Sequence, residues 1–243
     1  NNPHNNFTIG IVDDMNKTSL ETFPYHIDLH TNEIQIYGYG SDGMVSASKD
    51  ILNIMGKTSY VQGYFSYDSK KSGGVTVSHL RLGENLIKAP YYVTNPDLIV
   101  VTKEEYFSQY TMLDNLKENG FLLINTSDKE NILAKFTSKD LELITQKKIK
   151  VLMIDAYKIA EEHHLTGKIS KIMEAVILKL LGKENVYEIL SESIENKFMT
   201  KGEDIVKNNK EAVKEALNAV YKLDFKMVTS SKTPEEMQTI YDK

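Results

Sequence analysis

The chain has no cysteine. That absence excludes a disulfide, a thiol nucleophile and an iron–sulfur cluster held by the chain's own thiolates, since each needs cysteine sulfur. Arginine is nearly as scarce: all but one of the 29 basic residues are lysine, and the exception is Arg81. A guanidinium offers a rigid bidentate fork that an ammonium cannot supply, so this single use marks position 81; the plain alternative is a surface ion pair. Net positive charge is missing too. The formal charge is −5 and the isoelectric point about 5.7, without the basic footprint of a nucleic-acid binder. No apolar run approaches the ~20 residues that span a bilayer, and no signal-peptide pattern opens the chain. A cytoplasmic setting is therefore expected, with no nucleic-acid and no membrane partner. Internal repeats, low-complexity stretches, metal-ligand clusters, Walker loops and Ser/His/Asp arrangements are also lacking.

What is present suits a folded domain. With 243 residues, 41% hydrophobic and 26% charged, the chain can bury one large core, or a core with a helical appendage. The opening Asn1-Asn2-Pro3-His4-Asn5-Asn6 has no methionine and reads as a cut through a linker. Glu33-Ile34-Gln35-Ile36-Tyr37 alternates as a strand does and runs into Gly38-Tyr39-Gly40-Ser41-Asp42-Gly43. Met44, Val45, Ala47, Ile51, Leu52 and Met55 then recur at helical spacing, and Gly56 stops the helix. The segment 60–67 is the next strand. Apolar strands at 97–101, 120–125 and 150–155 alternate with helical stretches at 104–110 and 138–147, which implies a mainly parallel sheet covered on both faces. Val75-Thr76-Val77-Ser78-His79-Leu80-Arg81 alternates and is β-branched, as a hairpin or edge strand would. From Ile169 to Leu223 only amphipathic helices are predicted. The expected fold is thus α/β, a three-layer α/β/α Rossmann-like arrangement with a helical C-terminal part. Residues 7–223 would form the domain, 169–223 its helical portion, and 1–6 and 224–243 linkers.

The junction Gly38-x-Gly40-x-x-Gly43 is the first candidate site. A strand-to-helix turn aims backbone N–H groups and the positive end of the helix dipole at whatever sits above it, and glycine lets a phosphate approach. The motif favours a pyrophosphate ligand; equally, a tight turn needs glycine anyway, and Asp42 can be a helix cap. The ribose-binding acid of a nicotinamide site falls best on Asp68, late for that role. The second candidate is Tyr67-Asp68-Ser69-Lys70-Lys71-Ser72-Gly73-Gly74, two cations and several donors at the end of the next strand, which a solvated turn would also explain. His79 reads as structural rather than as a base, and His163-His164 as partners of a helix dipole rather than metal ligands.

Gly40-Ser41-Asp42-Gly43-Met44-Val45 resembles the Gly-Ser-Asp-Gly-Thr-Val stretch of pyruvate:ferredoxin (or flavodoxin) oxidoreductases, and the run from Gln62 to Arg81 resembles the longest signature of their γ domain. Residues 7–14, 18–20, 149–159 and 167–173 extend the likeness. The resemblance implies a part of a multidomain or multisubunit enzyme that oxidatively decarboxylates pyruvate to acetyl-CoA and CO₂ and passes electrons to ferredoxin or flavodoxin. Thiamine diphosphate and [4Fe–4S] clusters would lie in its other domains, this chain would contact coenzyme A, and alone it would be inactive. The expected phosphate contacts are Gly40, Ser41, Asp42 and Gly43 with Lys70 and Lys71, assisted by Ser69 and Lys49; no residue is expected to be catalytic or to bind a metal. The chain departs from the family's pattern at Ser46-Ala47-Ser48-Lys49, where Gly-Ala-Asn-Lys is usual. It departs again at Ile169-Ser170-Lys171-Ile172-Met173-Glu174, where Ile-Asn-x-Ile-Met-Gln is common, and at Lys88. The alternatives are a ligand-free scaffold domain and a nicotinamide-dependent Rossmann-type enzyme.

Overall fold

A computed structural model describes residues 5–23, 28–40, 42–68 and 74–223. The chain divides into two compact units, Asn1–His30 and Thr31–Lys243. In the first, two short strands, β1 (Thr8–Ile9) and β2 (Ser19–Leu20), pair in parallel. Asp14 holds the intervening turn, accepting from the amides of Asn16 and Ser19.

The second unit is built on one sheet. Its strands are β3 (Thr31–Tyr39), β4 (Tyr60–Tyr67), β5 (Val75–Gly83), β6 (Leu98–Val101), β7 (Phe121–Asn125), β8 (Lys150–Ile154) and β9 (Tyr221–Lys222). They lie in the order β4-β5-β3-β6-β7-β8-β9. β3, β6, β7 and β8 are parallel neighbours, and β4, two antiparallel steps from β3, runs the same way. One sheet face carries α1 (Met44–Met55), α3 (Ala156–Glu162), α4 (Ser170–Leu180), α5 (Val186–Phe198) and α6 (Glu203–Ala219). There Ile34, Ile36, Leu80 and Val100 share a core with Ile51, Ile172, Val176, Leu190 and Val213. The other face carries α2 (Ser138–Gln146) and three 3₁₀ turns over Ile99, Val101, Leu122 and Ile124. This is the expected three-layer α/β arrangement. α2 begins as its sequence asks: Thr137 and Asp140 form a reciprocal capping box.

The alternating strand is a hairpin partner of β4, one of the two placements expected of it; β4 is at an edge, and β5 sits between β4 and β3. Its polar residues Thr76 and Ser78 are buried on the face that α1 covers, so alternation here does not mark a wet face. The C-terminal stretch is not purely helical, because Tyr221–Lys222 adds β9 antiparallel to β8. Glu104–Ser108 is a 3₁₀ turn rather than a helix reaching residue 110.

Arg81 is not on the surface. Its side chain is 1% exposed. Nε donates to Glu33 Oε1 at 2.6 Å, Nη1 to Gln62 Oε1 at 3.0 Å and to the Tyr91 carbonyl at 2.7 Å, and Nη2 to the Tyr92 carbonyl at 2.9 Å. One guanidinium thereby joins β3, β4 and β5 to the loop that follows β5. Gln35 adds a bond from Nε2 to the Val93 carbonyl at 2.7 Å, and His79 stacks on Tyr92 with ring centres 4.5 Å apart. Burial lowers the His79 pKa to about 4, so the ring is neutral at physiological pH, in keeping with a structural role.

Candidate functional site

The chain leaves β3 through α1 towards β4 on one side of the sheet, while β6, β7 and β8 proceed to the other side. The crossovers diverge at the carboxyl ends of β3 and β6. Such a switch point leaves a crevice, the place where open α/β sheets bind ligands. The glycine-rich turn lies there.

Asp42 builds that turn. Its Oδ2 accepts from the Tyr39 amide at 2.6 Å and from Thr102 Oγ1 at 2.8 Å, and its Oδ1 accepts from the Met44 amide at 2.9 Å. The carboxylate is buried, and burial pushes its pKa up while these bonds pull it down. Asp42 therefore fastens the start of α1 to β6 and has little left for a ligand. Gly43 has φ +80°, and a Cβ there would stand 3.2 Å from that of Ser170. This places the first residue of α4 directly against the turn, so the amino ends of two helices meet at it. Among the described residues, a Cβ at Gly40 would meet nothing nearer than the Gly74 carbonyl at 3.9 Å.

The ends of the second candidate segment are near. Tyr39 pairs with Val75, and the Asp68 amide donates to the Val75 carbonyl at 3.1 Å. Gly74 thus stands beside the end of β3, and Asp68 beside the start of β5, one strand further out. Ser41, Ser69, Lys70 and Lys71 themselves lie outside the described residues. Lys49 is exposed on α1, with Nζ 5.5 Å from the centre of the Phe65 ring, six residues past the glycine turn's last glycine; at 1.5 Å per residue that is about 9 Å along the helix.

Position relative to the sheet picks out residues that motif reading missed. Thr102 and Lys103 directly follow β6 at the switch point. Lys103 Nζ sits 3.8 Å above the Tyr39 ring and has no carboxylate partner among the described residues. Tyr106 Oη reaches the Gly38 carbonyl at 3.5 Å; burial and the nearby Asp42 push its pKa up to about 12, so it stays a protonated donor. Tyr157, at the start of α3, also feels the Asp42 charge, after the larger effect of burial. A residue immediately after a parallel strand is the signal that would have found Lys103.

Behind the turn lies a buried charge network. Lys171 Nζ, on α4, is 3.0 Å from Asp50 Oδ2 on α1, 3.2 Å from Ser193 Oγ on α5 and 2.8 Å from Glu174 Oε2. Lys197 Nζ reaches the same Asp50 oxygen at 2.9 Å and Ser46 Oγ at 3.1 Å. Glu174 is 0% exposed with Oε1 unpartnered, and burial raises its pKa to about 7. The unusual Ser46 and Glu174 are thus both members of this network, not of the crevice.

The second acid of a nicotinamide site would have to come from a strand adjoining β3 on the α1 side. Here β5 intervenes, which puts the end of β4 two strand spacings, about 10 Å, from β3. That geometry disfavours the dinucleotide alternative.

Comparison with known proteins agrees with the topology. The family model described as pyruvate ferredoxin/flavodoxin oxidoreductase matches residues 33–219. Pyruvate:ferredoxin oxidoreductase of Moorella thermoacetica is 35% identical over 250 residues, covering 99% of this chain and 21% of that protein. Pyruvate-flavodoxin oxidoreductase of Enterobacter agglomerans is 36% identical over 256 residues, covering 98% of this chain and 22% of that protein. The chain therefore spans about a fifth of the length of these relatives. Among solved structures, the PORC subunit of pyruvate oxidoreductase from Thermotoga maritima superposes with a TM-score of 0.64 at 25% identity, covering 80% of this chain and 99% of that one. A 2-oxoglutarate:ferredoxin oxidoreductase from Magnetococcus marinus, with 2-oxoglutarate, coenzyme A and succinyl-CoA bound, shares the fold, with a TM-score of 0.63 at 18% identity over 81% of this chain and 32% of that one.

Proposed function

Because this chain belongs to the pyruvate ferredoxin/flavodoxin oxidoreductase family, we propose that it is the coenzyme A-contacting γ part of a larger enzyme. That enzyme oxidatively decarboxylates pyruvate to acetyl-CoA and CO₂ and delivers electrons to ferredoxin or flavodoxin. Residues 7–223 serve as the γ module, with 1–6 and 224–243 as linkers to its neighbours, in the cytoplasm.

The observation that carries the coenzyme A reading is the glycine-rich turn at the switch point, open at Gly40 among the described residues and braced by Asp42 and Ser170. Coenzyme A brings a pyrophosphate and a further phosphate, and two helix amino ends with nearby lysines favour such charge. Gly40, Ser41 and Gly43 supply backbone approach, and Asp42 acts by holding the turn's shape. Lys70 and Lys71 neutralise phosphates, with Lys103 above Tyr39, Lys49 and Ser69 in support. That the Magnetococcus enzyme of the same fold holds coenzyme A accords with this.

The chain's own role is to bind and orient. Thiamine diphosphate would supply the decarboxylation chemistry and [4Fe–4S] clusters the electron path, both in other domains. A chain without cysteine has no thiolate to offer a cluster, and no chemical step is assigned to its residues.

The test is Lys70→Ala/Lys71→Ala in the complete enzyme. Each lysine–phosphate contact contributes about 1 kcal/mol or somewhat more, so the KM for coenzyme A should rise roughly 10- to 100-fold with the KM for pyruvate unchanged. An unchanged KM for coenzyme A at normal turnover would leave these lysines as a solvated turn.

A further inference from the structure

Seven of the large apolar side chains that the structure leaves exposed fall within residues 7–23: Phe7, Ile9, Ile11, Val12, Met15, Leu20 and Phe23. Val12 is fully exposed, Met15 is 91% exposed and Phe23 80%. An exposed apolar density of this kind marks a surface meant to be covered. The segment is nonetheless shaped: β1 pairs with β2, Thr8 N donates to the Thr18 carbonyl at 3.0 Å, and the Asp14 carboxylate ties Asn16 and Ser19 across the turn. Its backbone is thus held internally while Val12, Met15 and Phe23 stay exposed, the reverse of a solvated tail.

We propose that residues 7–23 form a docking strap whose apolar side chains seat in a groove of another domain of the same oxidoreductase. This rests on the reading that the chain is one part of a larger enzyme. Two facts choose that occupant. Likeness to the Moorella enzyme extends over 99% of this chain, well beyond the family model's first matched residue, 33, so the strap belongs to the architecture shared with full-length relatives. And about four-fifths of that relative's length lies outside the matched part, ample chain to provide the groove. The strap carries Asp13, Asp14 and Glu21 against one cation, Lys17, so the groove should be apolar with a basic rim. Burying several such side chains supplies the apolar area that holds one domain on another.

Hydrogen–deuterium exchange of residues 7–23 tests this, comparing the complete enzyme with the isolated 243-residue chain and assaying pyruvate-dependent acetyl-CoA formation on the same enzyme sample. Exchange should be at least about tenfold slower in the complete enzyme. Val12→Asp/Met15→Asp should abolish that protection yet leave the thermal midpoint of the isolated chain unmoved. Fast exchange in an active complete enzyme overturns the strap alone. Equal protection in the isolated chain also overturns it: if independent of concentration the strap covers residues 31–223 of its own chain, and if concentration-dependent it covers a second copy. A complete protein that exchanges slowly but turns over no pyruvate would instead defeat the proposed function and leave the strap standing.

Discussion

Arg81 and Glu174 are both buried ionisable residues, and their surroundings treat them oppositely. Arg81 has a carboxylate, an amide oxygen and two carbonyls around its fork. A lysine could not reach all four, so Arg81→Lys should lower the unfolding free energy by about 2–4 kcal/mol, measurable by urea titration; a loss under 0.5 kcal/mol would show the fork to be dispensable. Glu174 has only the ammonium of Lys171 close by, with Asp50 and Lys197 beyond it. Between pH 4.5 and 7 the unfolded chain has released this proton and the folded chain still holds it, so stability falls as pH rises through that window. Glu174→Gln carries no proton. The stability of the variant relative to its parent should therefore improve from pH 5 to pH 8, by on the order of 1–3 kcal/mol. A pH-independent difference would mean that Glu174 titrates in the folded chain as it does in the unfolded one.

At the scale of elements, the glycine turn shows what sequence could and could not disclose. Its place between strand and helix was legible because the periodicity changes from alternation to helical spacing across Gly38–Gly43. That α4 begins against it was not, since nothing in residues 44–169 announces that Ser170 returns to Gly43. Gly43→Ala should cost about 1–2 kcal/mol, from the positive φ and the 3.2 Å approach to Ser170; thermal unfolding would reveal it, and an unchanged midpoint would mean that α4 yields freely. The place of β5 was equally hidden. Val75-Thr76-Val77-Ser78 alternates like a half-wet strand, but α1 covers one face, while Val75 and Val77 on the other join the cluster of Tyr106 and Phe107, and neither cover is written in the strand itself. Asp42 illustrates a third case: the cap reading and the ligand reading were both open, and its three bonds make it a brace of the turn, one residue before the N-cap Gly43.

For the whole molecule, the α/β class followed from apolar strands alternating with helices, and the missing cysteines fit a part that leaves redox chemistry to its neighbours. The isolated chain should neither decarboxylate pyruvate nor reduce a viologen dye, and turnover above a buffer blank would contradict that division of labour. Coenzyme A at the switch point is the central claim, and Gly40→Val in the complete enzyme tests it most directly. Among the described residues only the Gly74 carbonyl comes within 4 Å of a Cβ at Gly40, at 3.9 Å, so folding should be spared while phosphate approach is blocked. The account expects the KM for coenzyme A to rise at least about tenfold, a loss of about 1.4 kcal/mol in binding, with the KM for pyruvate and the thermal midpoint unchanged. A variant that folds normally and uses coenzyme A as the parent does would contradict it.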